Sequence, residues 1–147
     1  MAQTKPEYAE CTEFGNYASQ LVSKFPEVFG ALDVSKVKCV AITNKDRSEK
    51  KNLWEVKAVP YPIRMDCPYA YYVVIFMKDW TEMDESHKAA LVAETLHAIP
   101  SSEDEEGKTN PFDLKDYGNM IRTLGVDYME KDGIPNLIKD DVKWVLR

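Results

Sequence analysis

The segment "LVAETLHAI", residues 91 to 99, sets Glu94 and His97 three positions apart on what reads as a helix. A helical zinc site of the form His-Glu-x-x-His needs imidazoles at i and i+4, one turn apart on a single face, so that both reach one ion. The glutamate between them polarises the metal-bound water as general base. Here Glu94 and His97 stand at the second and last positions of that pattern, and Ala93 stands at the first. A methyl group cannot ligate a metal. Glu94 and His97 also form the Glu-x-x-His half of a di-iron carboxylate site. That chemistry needs two such motifs and further glutamates on a four-helix bundle, and this chain supplies one motif among strand-like segments.

Other residues could rebuild a cation site only at a cost to its chemistry. His87 lies ten residues before His97 on the same predicted helix, about 15 Å along its axis, too far to share an ion. Asp113 or Asp116, with His97 and Glu94, could form an oxygen-rich site for another divalent metal. Glu94 would then be a ligand, leaving no base. A purely structural reading accounts for the same residues: His97 sits near a helix C-terminus where its charged form suits the dipole, Glu94 faces solvent, and Asp113 completes a cap begun by Asn110.

Elsewhere the chemistry is thinner. The six glycines are scattered and make no phosphate loop, and no nucleophile elbow surrounds a serine. The acidic run Glu103, Asp104, Glu105, Glu106 lacks EF-hand spacing and reads as a solvated loop. It is also the best sequence hint of an electrostatic contact with a basic partner. Tyr61, Tyr69, Tyr71 and Tyr72 cluster around prolines, divided between core packing and an interface role. Cys11, Cys39 and Cys67 are widely spaced and suit buried thiols in a reducing compartment.

The elements that must position Glu94 and His97 follow from periodicity. Residues 7 to 25 carry Tyr8, Phe14, Tyr17, Ala18, Leu21, Val22 and Phe25 on a helical period, stopped by Pro26. "VKCVAIT" (37 to 43) and "LWEVKAV" (53 to 59) read as a half-exposed antiparallel pair joined by a solvated hairpin loop, "NKDRSEKK". "PYPIRMDCP" is a loop. "YAYYVVIFM" reads as a central strand covered on both faces. A helix follows from Asp84 to Ile99, with Ala89, Val92, Ala93, Leu96 and Ile99 as its stripe, ended by Pro100. "NPFDLKDYGNMIRTLG" reads as a helix with Asn110 at its N-cap, Pro111 in its first turn and Gly125 at its stop. The tail "IPNLIKDDVKWVLR" has apolar residues enough for short docked elements.

The expectation is one α+β domain over residues 1–147: an N-terminal helix, a small, mainly antiparallel three-stranded sheet, then two helices packed on one side. Hydrophobic residues are 44% and charged residues 30%, the balance of a soluble globular chain. The net charge of −6 argues against nucleic acid and anionic membranes as partners. The longest apolar run is too short to span a bilayer, and a cytoplasmic location is expected.

"YYVVIFMKDWTEMDESHKAALVAETLHAIP" followed by "PFDLKDYGNMIRTLGVDYM" resembles the phage metallopeptidase family, a group of small zincin-like proteins, over about Val37 to Ile138. The resemblance implies a zincin-like fold and a zinc site with a His-Glu-x-x-His helix and a His-Asp pair opening the next helix. By that resemblance Glu94 falls on the general base, His97 on the second histidine ligand and Asp113 on the aspartate of the pair. Ala93 and Phe112 replace the two remaining histidines, so two of three expected ligands are gone. A catalytic zinc site takes three protein ligands. The resulting expectation is a catalytically inactive relative, without a metal cofactor, that binds a protein partner, in the host cytoplasm if phage-encoded. The rivals are a metal-dependent peptidase with an unusual site and a virion or morphogenesis component.

Overall fold

The computed structural model describes residues 5–30, 32–47, 52–100, 109, 117–125 and 127–146. Its elements run β1 (Tyr8–Glu10), α1 (Thr12–Lys24), α2 (Pro26–Phe29), β2 (Val37–Ile42), β3 (Trp54–Ala58), β4 (Tyr71–Phe76), α3 (Met77–Glu82), α4 (Glu85–His97) and α5 (Gly118–Leu124), with single 3-10 turns at Val34–Lys36, Ile63–Met65 and Tyr128–Glu130.

The architecture is α+β, with a four-stranded mixed sheet in the order β1-β2-β4-β3. β2 runs parallel to β4, while β1 on β2 and β3 on β4 are antiparallel. β4 is central, as its apolar run implies. The expected β2–β3 hairpin does not form: β4 separates them, with Cys39 opposite Val73 on one side and Val56 opposite Val73 on the other. The physical reason is that β4 is the most apolar of the three and takes the most covered place, while the polar 43–53 connection has no two-residue turn signature to force adjacent pairing.

One face of the sheet is buried. The register stacks Cys39, Ala41, Val73 and Ile75 on it, each less than a tenth exposed, with Trp54, Val56 and Ala58 beside them. Tyr72 and Val74 point the other way and are half-buried, so β4 alternates rather than being covered on both faces.

α1 lays Phe14, Ala18 and Leu21 against this core at helical spacing. α4 is buried along its whole middle, from Ala89 to Leu96, because it lies between α1, β3 and the turn at Tyr128. Its start is fixed by Asp84, whose carboxylate accepts the His87 backbone N–H at 2.8 Å. Two elements escape the periodic reading. β1 is three residues whose identity comes from backbone bonds to β2 rather than from side-chain period, and α3 is a six-residue helix that follows β4 directly and buries Trp80 against Tyr17. Pro26 does not simply end α1: it opens α2 at the first-turn position that proline favours.

α5 ends where expected, at Gly125, whose φ of 96° is a conformation side chains resist. Its expected beginning, with Asn110 and Pro111, lies outside the described residues. No described helix is long and apolar enough to cross a membrane.

Candidate functional site

Glu94 and His97 lie on consecutive faces of the last two turns of α4. Glu94 is only 8% exposed, which corrects the expectation of a solvent-facing side chain. The cause is the depth of α4: a residue at this position points between β3 and the Tyr128 turn rather than outward. A buried carboxylate needs donors. Two are supplied: the Trp54 indole Nε1–H donates to Oε1 at 2.8 Å, and the Tyr128 hydroxyl donates to Oε2. Trp54 opens β3, and Tyr128 opens the 3-10 turn after α5. The carboxylate therefore ties three separate parts of the chain together.

Neither donor is flagged by the sequence. Trp54 and Tyr128 lie 40 and 34 residues from Glu94, and each reads as an ordinary aromatic. The one available signal is chemical: both are aromatics with a polar tip, which seeks a partner when buried.

His97 is the last residue of α4. Its Nδ1–H donates to the Ala93 carbonyl at 2.7 Å, and Asn119 Nδ2 lies 3.5 Å from Nε2. That bond to Ala93 fixes the tautomer. Around the ring stand three aromatics: Tyr117 is stacked at 5.4 Å between centroids, Trp144 is tilted at 5.6 Å and Phe29 is edge-on at 5.4 Å. His97 is thus packed among rings, in the neighbourhood where a zinc site would have been expected to converge oxygens and imidazoles.

Ala93 is fully buried and contributes no donor. His87 is on α4 as expected and is occupied elsewhere. Its Nδ1 meets Asp84 Oδ1 at 2.7 Å and its Nε2 meets the Lys131 carbonyl at 2.7 Å, clamping the start of α4 to the loop after the Tyr128 turn. Asp113, Asp116 and Phe112, and the acidic run Glu103, Asp104, Glu105, Glu106, lie outside the described residues. Among the described residues no group of three His, Cys, Asp or Glu side chains converges as a metal site would require. The donor set that is described, one imidazole with a carboxylate already accepting two internal hydrogen bonds, does not fit catalytic zinc.

The other ionisable contact of note is Cys11 with Cys39, which face each other where the β1–β2 ladder continues, the Cys11 N–H donating to the Cys39 carbonyl at 3.0 Å. The Cys39 thiol hydrogen-bonds Cys11 and lowers its pKa to about 7, while that same bond and burial push Cys39 well up.

A sheet with a buried Glu-x-x-His helix beneath it, followed by a further helix and a docked tail, defines a zincin-like α+β domain. Residues 6–141 match the model of the family described as "Putative phage metallopeptidase". The chain belongs to that family. No curated protein and no solved structure matches it.

Proposed function

We propose that this chain is a family member that has lost hydrolysis and acts by binding another protein. The observation that carries the reading is the state of its two surviving site residues. Glu94 is buried and accepts hydrogen bonds from Trp54 and Tyr128, and His97 is packed among Phe29, Tyr117 and Trp144. A general base must reach a water in an open site. A carboxylate whose two oxygens hold protein donors serves the fold instead. Ala93 and Phe112, at the positions of two family histidines, point the same way.

The partner is a protein, of the host or its defences, rather than nucleic acid or membrane. The acidic run Glu103, Asp104, Glu105, Glu106 supplies an anionic contact for a basic surface, consistent with the net charge of −6. No metal cofactor is assigned. The place of action on this reading is the cytoplasm, that of the host cell if the chain is phage-encoded.

Metal analysis of protein purified without chelator, paired with a digestion assay on an unfolded protein substrate, tests the first half. Substoichiometric zinc and no cleavage are expected. Near-stoichiometric zinc that disappears in His97→Ala would establish the rival, a peptidase with an unusual site drawing on His97, Asp113 or Asp116. Affinity capture from host lysate tests the second half, with a stoichiometric partner expected whose retention weakens at high salt.

A further inference from the structure

The C-terminal residues cross the molecule as a strap. Lys24 Nζ on α1 donates to the Leu137, Ile138 and Asp140 carbonyls at 3.0, 2.8 and 2.5 Å, which holds the near end of the strap. Farther on, Val145 is bonded through both of its backbone groups to α5: its N–H donates to Thr123 Oγ1 at 3.0 Å, and its carbonyl accepts from Arg122 Nε at 3.2 Å. Between these anchors, Trp144 inserts its ring against Phe25, Phe29 and His97, with centroids 5.7, 5.9 and 5.6 Å away.

This is the manner in which a binding site holds a foreign peptide: polar groups grip the backbone of one residue while the neighbouring side chain enters an aromatic pocket. Two further observations say that the strap is an imperfect occupant. The Trp144 indole Nε1–H is buried without a hydrogen-bond partner among the described residues, so its desolvation is uncompensated. Beyond it, Val145 and Leu146 are 49% and 39% exposed, so the strap's end is bound through little more than its backbone and one ring.

We propose that the Phe25, Phe29, His97 and Thr123 surface is a peptide-docking site, occupied in the free chain by its own Trp144 and taken in the complex by an extended partner segment bearing a large aromatic side chain. The inference rests on the binding reading above and names the chemistry of the partner. The tail acts as an internal competitor. A tethered ligand has an effective concentration in the millimolar range for a short linker, so a partner must outbid it to dock. Recognition is thereby restricted to segments that fill the pocket better than Trp144 does, for example by presenting an aromatic ring without a polar N–H to bury.

The test uses the full-length chain and a fluorescein-labelled peptide of residues 140–147, DDVKWVLR, followed by anisotropy. Trp144→Ala empties the pocket in cis and is expected to bind the peptide at least tenfold more tightly than the wild-type chain does. The same peptide with alanine for tryptophan is expected to bind at least tenfold more weakly to that variant. Thr123→Val is the second variant, since it removes the acceptor for Val145 without hollowing the core, and it is the one read if Trp144→Ala does not fold. It should raise amide exchange at residues 144–146 selectively. A folded Trp144→Ala chain that binds the peptide no better than wild type overturns the proposal, as does unchanged exchange in Thr123→Val. Mass spectrometry of the recovered peptide separates this from the reading beneath it: a cleaved peptide would sink the non-hydrolytic assignment, whereas an intact peptide that fails to bind sinks only the docking site.

Discussion

Replacing Glu94 is the perturbation that best separates a structural carboxylate from a catalytic one. Trp54 Nε1 is a donor only, so in Glu94→Gln the amide oxygen must face the indole and the NH2 must face Tyr128. The Tyr128 oxygen can accept from that NH2, but its own proton then loses the acceptor it has in the wild type. One buried donor left unsatisfied costs about 1–3 kcal/mol. In Glu94→Ala both donors lose their acceptor, for about 4 kcal/mol. A chain of this size shifts its melting temperature by about 3 °C per kcal/mol, so Glu94→Ala should melt about 12 °C lower and Glu94→Gln about 6 °C lower. The assay is urea or thermal unfolding of the two variants, with Tyr128→Phe made in the wild-type and Gln backgrounds. Because the bond from the Tyr128 hydroxyl to the carboxylate is absent in the Gln background, removing that hydroxyl should cost about 1–2 kcal/mol less there than in the wild type. A Glu94→Gln chain as stable as the wild type, or more stable, refutes the reasoning. Residues held for catalysis rather than for the fold commonly behave in that way when neutralised.

Three further perturbations probe the supports of the site. Asp84→Ala removes the N-cap of α4 and should cost about 1 kcal/mol by chemical denaturation; the His87 backbone and side-chain bonds hold the Asp84 carboxyl below its usual range, so its contribution is present at neutral pH and is lost as pH falls through that lowered value. Gly125→Ala forces a side chain into φ 96° and sets its Cβ 2.8 Å from Lys131 Nζ, which can swing away, so backbone strain of about 1–2 kcal/mol is expected in the unfolding midpoint. The Cys39 hydrogen bond lowers the Cys11 pKa from 9.0 to about 7 in the fold, so stability should rise between those values and be lost as pH falls through 7. Cys39 is shifted the other way and makes stability fall again at higher pH. Cys39→Ala should flatten the rise, as read from urea midpoints at pH 6.5 and 8.5.

The parts of the fold that were legible in the sequence are those where side-chain period and burial agree. α4 with its Asp84 start, the central β4 and the Gly125 stop each follow from local chemistry. Legibility fails where neighbours, rather than local pattern, decide. β1 exists because its backbone completes β2, and nothing in "YAE" distinguishes it from the first turn of α1. The β2–β3 pairing looked natural because the two are consecutive half-buried strands, yet sheet order is settled by which strand gains most from being covered. That information is spread over the whole sheet and is absent from either strand alone.

The site shows the same division more sharply. From residue types alone, Ala93 and Phe112 stand where the family resemblance implies two histidines, and the spacing of Glu94 and His97 is visible as a pattern. What the pattern cannot carry is where the two side chains find their partners. Their contacts reach Trp54, Asn119, Tyr128 and Trp144, drawn from β3, α5, a 3-10 turn and the tail. An ion would have gathered its ligands at one point, and its net attraction would have offset the desolvation of the carboxylate and the imidazole. Without that convergence, burial has to be compensated one hydrogen bond and one ring contact at a time. Each of those partners comes from a different element, so the Glu94–His97 region is a junction whose integrity depends on the tail and β3 being docked. The rings of Phe29, Tyr117 and Trp144 enclose His97, and Trp144 is the last of them to arrive along the chain, so the docking of the tail and the packing of His97 are coupled.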